Sequence, residues 1–316
     1  MSSTEQSSTE QIVECVPNFS EGTDEAKIGQ IVQAMQVPGV RLLDWSMDPD
    51  HNRSVVTVAG SPEAVREAAI CAVGKAAELI DLTRQTGVHP RIGAADVVPF
   101  VPVANMKLEQ CALLARQAGA EIWKRYKVPV YFYEAAAARP DRALLEDVRR
   151  GQFEGLREAA VKDVTRRPDV GGPGLHPTAG ASAVGARRFL VAYNVYLGSP
   201  GKDKPDMAAA RAIARDLRAS GGGMHGVKAM GVLVNGRAQV SMNITDFRAT
   251  PVRQVFEMVK KLAARHEAAP EAGELIGLIP ADAYEPESEW ARQISGFDPE
   301  AKILERRLEN PLAWPV

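Results

Sequence analysis

The chain reads as α/β (α+β), with two ferredoxin-like split βαβ subdomains and a ligand groove between them. Three observations predict this class. Apolar runs and helically spaced stretches alternate as strand, helix, strand, strand, helix, strand, and they do so twice. The length of 316 residues gives each round room for its own core. A stretch rich in glycine and proline, 168–185, stands between the two rounds. The expected division is a polar tail at 1–11, a first subdomain at 12–186 and a second at 187–316.

The elements follow in order. The tail repeats Ser-Thr-Glu-Gln at 3–6 and 8–11 and has neither a basic nor an apolar stretch, so it reads as disordered rather than as a secretory leader. The apolar run at 12–19, ending in Pro17-Asn18, is a first strand. Residues 21–35 place Ile28, Ile31, Val32 and Met35 at helical spacing, closed by Pro38-Gly39. Strands are expected at 40–45 and 53–60, with a polar turn at 47–52. Ser61 as cap and Pro62 in the first turn open a helix reaching about Leu82. A strand at 96–103, an amphipathic helix at 108–126 and a strand at 128–133 come next. Residues 134–167 are rich in alanine and charge, with Pro140 and Gly151 as breaks, and predict short surface helices. The second round has a strand at 189–197, a helix at 205–220, a hairpin of 227–234 and 239–244 about Asn235-Gly236, a helix from Thr250-Pro251 to about His266, and a strand at 275–279.

Composition narrows the function classes. A formal net charge of −2 argues against a general nucleic-acid binder. No segment reaches the roughly 18 consecutive apolar residues of a membrane span, and the expected location is the cytoplasm. Cys15, Cys71 and Cys111 are odd in number and unpaired by spacing; they fit reduced, buried thiols better than a disulfide framework or a zinc site.

The stretch Gly87-Val88-His89-Pro90-Arg91-Ile92-Gly93, running on to Asp96, is the densest chemical signal. Pro90 pushes His89 out of helical geometry, and the glycines permit close approach of a ligand. A ring that titrates near neutrality then sits on a constrained loop, as a general acid or base does. A structural histidine capping a turn is the other reading. Arg91 either pairs with Asp96 or holds a substrate carboxylate. At the end of the first strand, Asn18 and Glu21 are candidate binding groups, although Ser20 or Thr23 capping the next helix would also explain the pattern. Asp48-Pro49-Asp50-His51-Asn52-Arg53 invites a metal reading, but a turn accounts for it directly and no compact ligand motif is present. Gly171-Gly172-Pro173-Gly174-Leu175-His176-Pro177-Thr178-Ala179-Gly180 matches neither a P-loop nor a dinucleotide fingerprint. Its backbone would suit a flat ligand, or it serves as an interdomain linker.

Together these segments resemble the glutamate formiminotransferase (glutamate formimidoyltransferase) family. The resemblance runs through Glu14-Cys15-Val16-Pro17-Asn18-Phe19-Ser20-Glu21-Gly22, Asn52-Arg53, His89-Pro90-Arg91-Ile92-Gly93-Ala94 with Asp96, and Val128-Pro129-Val130-Tyr131. It continues through Gly185-Ala186-Arg187-Arg188-Phe189-Leu190 and Val240-Ser241-Met242-Asn243 with Asp246-Phe247. It implies transfer of the formimino group of N-formimino-L-glutamate to N5 of tetrahydrofolate in histidine breakdown, without a metal. It further implies folate lying between two subdomains, and a homodimer. His89 takes the place of the catalytic histidine, and Gly171 to Gly180 that of the folate loop. Asn18, Glu21, Arg53 and Arg91 become substrate-binding candidates, and His89 alone would carry the N5 proton to the glutamate nitrogen. Animal members are fused to a cyclodeaminase; a stand-alone transferase is expected here, with a separate cyclodeaminase as the partner this leaves open. The chain departs from the family pattern at Ser46, where an acid is usual, and in the less aromatic Leu175 to Ala179. A folate-binding protein of this fold without the reaction, or a transferase using a formyl donor, are the alternatives.

Overall fold

Val16-Pro17 breaks the first predicted strand into Ile12–Cys15 (β1) and Asn18–Phe19 (β2), since proline supplies no ladder N–H. The structure is a computed structural model that describes residues 10–87, 89–198 and 204–315. Its contacts divide the chain into one unit running to Arg187 and taking in the end from Pro311, and a second unit, Arg188–Asn310.

In the first unit, helix Glu25–Ala34 (α1) starts at Asp24, whose carboxylate accepts from Lys27 N. The caps expected from the sequence are engaged elsewhere: Ser20 Oγ donates to Gly93 O at 2.7 Å, and Thr23 bonds to Glu21. Val40–Asp48 (β3) and Arg53–Gly60 (β4) form a hairpin, and helix Pro62–Leu79 (α2) opens with Pro62 in its first turn as expected, the Ser61 side chain before it making no capping bond. Ala95–Ala104 (β5) completes an antiparallel order of β3, β4, β1/β2, β5, the arrangement of a split βαβ unit.

Helix Leu108–Tyr126 (α3) leads to Val130–Glu134 (β6), the short helices Leu145–Val148 (α4) and Gln152–Lys162 (α5), and Ser182–Ala186 (β7). β7 lies parallel between β5 and β6, where the sequence suggested only loop. All five of its residues are buried, so no alternation marks it. The larger core sits between the sheet and α1, α2 and α3; a smaller one, with Val97, Tyr131, Tyr133, Val148 and Leu156, joins the sheet to α4 and α5.

The second unit repeats the simple pattern. Its elements are Val191–Gly198 (β8), Met207–Leu217 (α6), Val227–Val234 (β9), Arg237–Ile244 (β10), Val252–Arg265 (α7) and Ala269–Ile276 (β11), with strand order β11-β8-β10-β9. Asn235 and Gly236 both take positive φ, as a two-residue hairpin turn requires. β11 begins earlier than its sequence suggests, because Pro270 and two glutamates on an edge strand obscure it. Cys15 and Cys111 are buried and Cys71 is half-buried, all as free thiols. Among the described residues no helix is long and apolar enough to cross a membrane.

Candidate active site

β2 ends, and β4 and β5 begin, at the same end of the first sheet. Asn18 pairs with Val97 and Phe19 with Ala95, so Asp96 is the extra residue of a β-bulge. A bulge re-aims a side chain out of the regular ladder. Asp96 is fully buried; its Oδ1 accepts from Ile92 N at 2.8 Å, and its Oδ2 accepts from Arg53 Nη1 at 2.8 Å and Arg149 Nη2 at 2.5 Å. Burial raises its pKa, but the two guanidinium groups and the Ile92 N–H outweigh burial and bring it to about 2.

Arg53, the first residue of β4, also donates from Nε to Asn18 Oδ1 at 2.9 Å, and Asn18 Nδ2 is anchored on Val16 O at 2.8 Å. Asn18 and Arg53, separate candidates in the sequence, thus form one unit. Burial lowers Arg53 to about 10, which leaves it charged at neutral pH. With Arg149 and Asp96 it makes a buried cluster carrying one positive charge in excess.

That excess faces His89. His89 Nδ1 lies 3.0 Å from Arg53 Nη1 and 2.8 Å from Pro90 O. A guanidinium N–H only donates and a carbonyl only accepts, so the two contacts serve the two neutral tautomers. The tautomer donating from Nδ1 to Pro90 O leaves its lone pair on Nε2, as a base needs. Burial first, then the charges of Arg53 and Arg149, push His89 down to about 3, against the pull of Asp96 and of the Pro90 carbonyl. It is neutral at physiological pH.

A second ring closes on it. His51 stands edge-to-face with His89 at 6.1 Å between centroids, and its Nδ1 meets Asp48 Oδ2 at 2.6 Å. The bond to Asp48 raises the His51 pKa. The turn reading of 48–53 holds for its backbone, with His51 N donating to Asp48 Oδ1 and Asn52 at φ 47°. Among the described residues no group of three or more His, Cys, Asp or Glu side chains is placed to hold a metal ion.

The surrounding loops are fastened by side chains that do little else. Glu21 is buried and accepts from Thr23 N, Thr23 Oγ1, Asp24 N, Lys27 Nζ and Gln85 Nε2. Burial opposes these bonds, yet they hold its pKa down at about 2. Both its oxygens are taken, so Glu21 positions Gln85. Asn52 accepts from Gly22 N at 2.8 Å and donates to Gln85 Oε1 and Thr86 O, joining three loops. Arg91 does not pair with Asp96. It donates to Gln85 O at 2.6 Å and Glu154 Oε1 at 3.1 Å, while Arg149 fills the place beside Asp96.

The glycine-rich stretch belongs to the same unit and is pinned to the His89 loop, so it is no interdomain linker. Ala94 N donates to Ala179 O, Ala181 N to Ile92 O and Leu82 N to Thr178 O, each at 2.9 Å. His176 and Gly180 exchange backbone bonds, and His176 Nδ1 accepts from Ala179 N at 3.0 Å. Gly171 has φ 81°, and a Cβ there would stand 2.5 Å from the Trp123 ring. Only glycine lets the stretch lie this close to α3. Leu175 packs against both cores of the unit.

Of the residues singled out from sequence, Asn18, Arg53 and His89 are in direct contact. Glu21 and Arg91 reach them through Gln85 and its loop. Arg149, Gln85 and the contact of His51 with His89 escaped the sequence reading. The repeated long polar side chains at 149–150 carried no signal, since the partner of Arg149 is 53 residues away.

Two family models match the chain: the N-terminal subdomain of the formiminotransferase domain over residues 12–187, and the formiminotransferase domain over 192–292. The glutamate formimidoyltransferase of Streptococcus pyogenes serotype M1 is 43% identical over 94% of this chain and 98% of its own length. That of Thermoplasma acidophilum is also 43% identical, over 95% of this chain and 98% of its own. The formimidoyltransferase-cyclodeaminase of Mus musculus is 39% identical over 85% of this chain, which spans 50% of that protein.

Proposed function

This chain belongs to the glutamate formimidoyltransferase family, and on that premise we propose that it moves a formimino group from N-formimino-L-glutamate to N5 of tetrahydrofolate, with His89 as the base. The products are 5-formimidoyltetrahydrofolate and L-glutamate. The observation that carries the reading is 43% identity over nearly the whole length of two glutamate formimidoyltransferases. The geometry around His89 gives it a mechanism.

N5 attacks the formimino carbon and loses its proton as the new bond forms. A neutral imidazole with Nδ1 held by Pro90 O presents Nε2 for that proton. A base near 3 is weak, and the excess positive charge of Arg53 and Arg149 is part of the reason. A substrate carboxylate drawn to that charge offsets it and raises the basicity of His89 as the site fills. Arg53 is thereby an electrostatic anchor for the substrate, with Asn18 holding its guanidinium in place. Arg91 and Glu21 act by fixing the loop through Gln85. The stretch 171–180, bonded to Ile92 and Ala94 just past His89, is the surface for the pterin. Holding both reactants there supplies much of the acceleration.

The test is direct. Purified protein, tetrahydrofolate and N-formimino-L-glutamate are mixed, and 5-formimidoyltetrahydrofolate is followed by its absorbance. Its formation at a catalytic rate is the expected result; folate binding with no product overturns the assignment.

A further inference from the structure

Transfer needs two proton movements, one off N5 and one onto the departing glutamate nitrogen. His89 suits the first. For the second, a ring that enters the step already protonated is needed beside the departing nitrogen, whereas His89 enters it neutral. The structure places another imidazole at the same spot.

We propose that His51, oriented by Asp48 and set edge-to-face against His89, is the acid that protonates the departing glutamate nitrogen. The inference rests on the formimino-transfer reading and names a second catalytic residue for it. Asp48 occupies Nδ1 at 2.6 Å, so Nε2 is the nitrogen that His51 offers. The two accepting and donating nitrogens of the substrates share one carbon in the tetrahedral intermediate. A base and an acid each within about 2.6–3.2 Å of them must themselves be near neighbours, and the rings are 6.1 Å apart. The charged groups facing His51 are Asp48 and Asp50 of its own turn and Arg53 at the start of β4, with His89 across the site. Asp48 and Asp50 favour the imidazolium and Arg53 opposes it; the balance lies with the carboxylates.

The step balances. The C–N5 bond forms as the C=N π pair moves onto the imino nitrogen, and the N5 proton passes to His89. The pair on the imino nitrogen then restores C=N as the bond from carbon to the glutamate nitrogen breaks; the bonding pair stays on the glutamate nitrogen, which takes the Nε2 proton of His51. His51 ends neutral and His89 ends charged. Proton transfer from His89 back to His51, directly or through solvent, restores the starting state.

The experiment uses the full chain with His51→Gln and Asp48→Asn, each checked by thermal melt and by tetrahydrofolate binding. In the unaltered protein, kcat should fall on an alkaline limb as His51 loses its proton. His51→Gln should cost about 10²–10⁴-fold in kcat and abolish that limb. A donor whose leaving nitrogen is aromatic, N-formimidoyl-4-aminobenzoate, departs with little help from an acid, and the variant should recover most of its deficit on it. Asp48→Asn should move the alkaline limb to lower pH, and it decides the matter alone if His51→Gln does not fold. An unchanged limb in Asp48→Asn, or equal losses of His51→Gln on both donors, overturns the proposal while formimino transfer stands. No transfer by the unaltered protein overturns both.

Discussion

Asp96→Asn tests the electrostatic frame of the site most sharply, because asparagine keeps the shape and removes only the charge. Its remaining carbonyl can still accept from Ile92 N, but Arg53 and Arg149 lose the carboxylate that each contacts, at 2.8 and 2.5 Å. Asp96 is fully buried, so solvent cannot replace what is lost. Two routes give the size. Depression of its pKa from 3.8 to about 2 corresponds to about 2–3 kcal/mol of stability above both values. Removing one partner of a buried ion pair costs about 3–5 kcal/mol, because the surviving charges stay buried. A loss of about 3–5 kcal/mol at pH 7 is therefore expected. The sign with pH follows from the depressed pKa: the contribution of Asp96 is present above about 3.8 and is lost as pH falls towards 2. The gap between the unaltered protein and Asp96→Asn should accordingly narrow over that interval. Urea titration read by hydrogen exchange in β5 peptides measures it without interference from the second unit. A loss below about 1 kcal/mol at pH 7, or a gap constant from pH 5 to pH 2, would refute the reasoning.

His89→Gln should lower kcat by about 10²–10⁴-fold while tetrahydrofolate binding, followed by calorimetry, stays near that of the unaltered protein; transfer at a near-normal rate removes His89 as the base. Arg149→Met takes one positive charge from beside His89 and should raise its pKa from about 3 towards its ordinary value. Its protonated form then appears at higher pH, so the acid limb of kcat/KM should move up by about one unit or more; a pH–rate profile that superimposes on the original contradicts this. Gly93→Ala would put a Cβ 2.1 Å from Ala181 O, where backbone meets backbone. It should cost about 1–3 kcal/mol by forcing apart the His89 loop and the glycine-rich stretch, seen as a lower melting temperature and weaker folate binding; an unchanged melt would show that the two segments can separate freely.

Local chemistry was the part of this molecule that the sequence made readable. Ser61-Pro62 announced α2, Asn235-Gly236 announced the β9–β10 hairpin, and apolar spacing marked α3 at both ends. His89 stood out because Pro90 and the glycines beside it constrain the backbone within a few residues. What escaped had its cause far along the chain or had no period. Five buried residues of small side chain make β7, and they lie between two parallel neighbours instead of facing solvent on alternate sides. Asp24 caps α1 in place of Ser20 because Ser20 is drawn to Gly93 O, 73 residues on. Arg149 takes the place beside Asp96 that adjacency offered to Arg91: the arginine close in sequence to Asp96 serves Gln85 and Glu154, and the distant one serves Asp96. An ion pair leaves no periodic trace, so its partners become visible only when the fold brings them together.

The two imidazoles show what that convergence achieves. His89 stands beside two guanidinium groups with one carboxylate between them, and His51 stands beside two carboxylates with one guanidinium opposed. Burial and the charges around His89 therefore hold one ring neutral, while the carboxylates favour charge on the other, only 6.1 Å away. A single histidine placed in either field would be suited to one half of the transfer and poorly suited to the other, since efficient acid and base catalysis ask for different protonation states at one pH. Screening by water would erase such a contrast over this distance, so it depends on the burial of Arg53, Arg149 and Asp96. The buried cluster is thus needed for more than stability. Removing its excess positive charge by substitution should raise the His89 pKa, with burial still holding it below its ordinary value, and narrow its difference from His51.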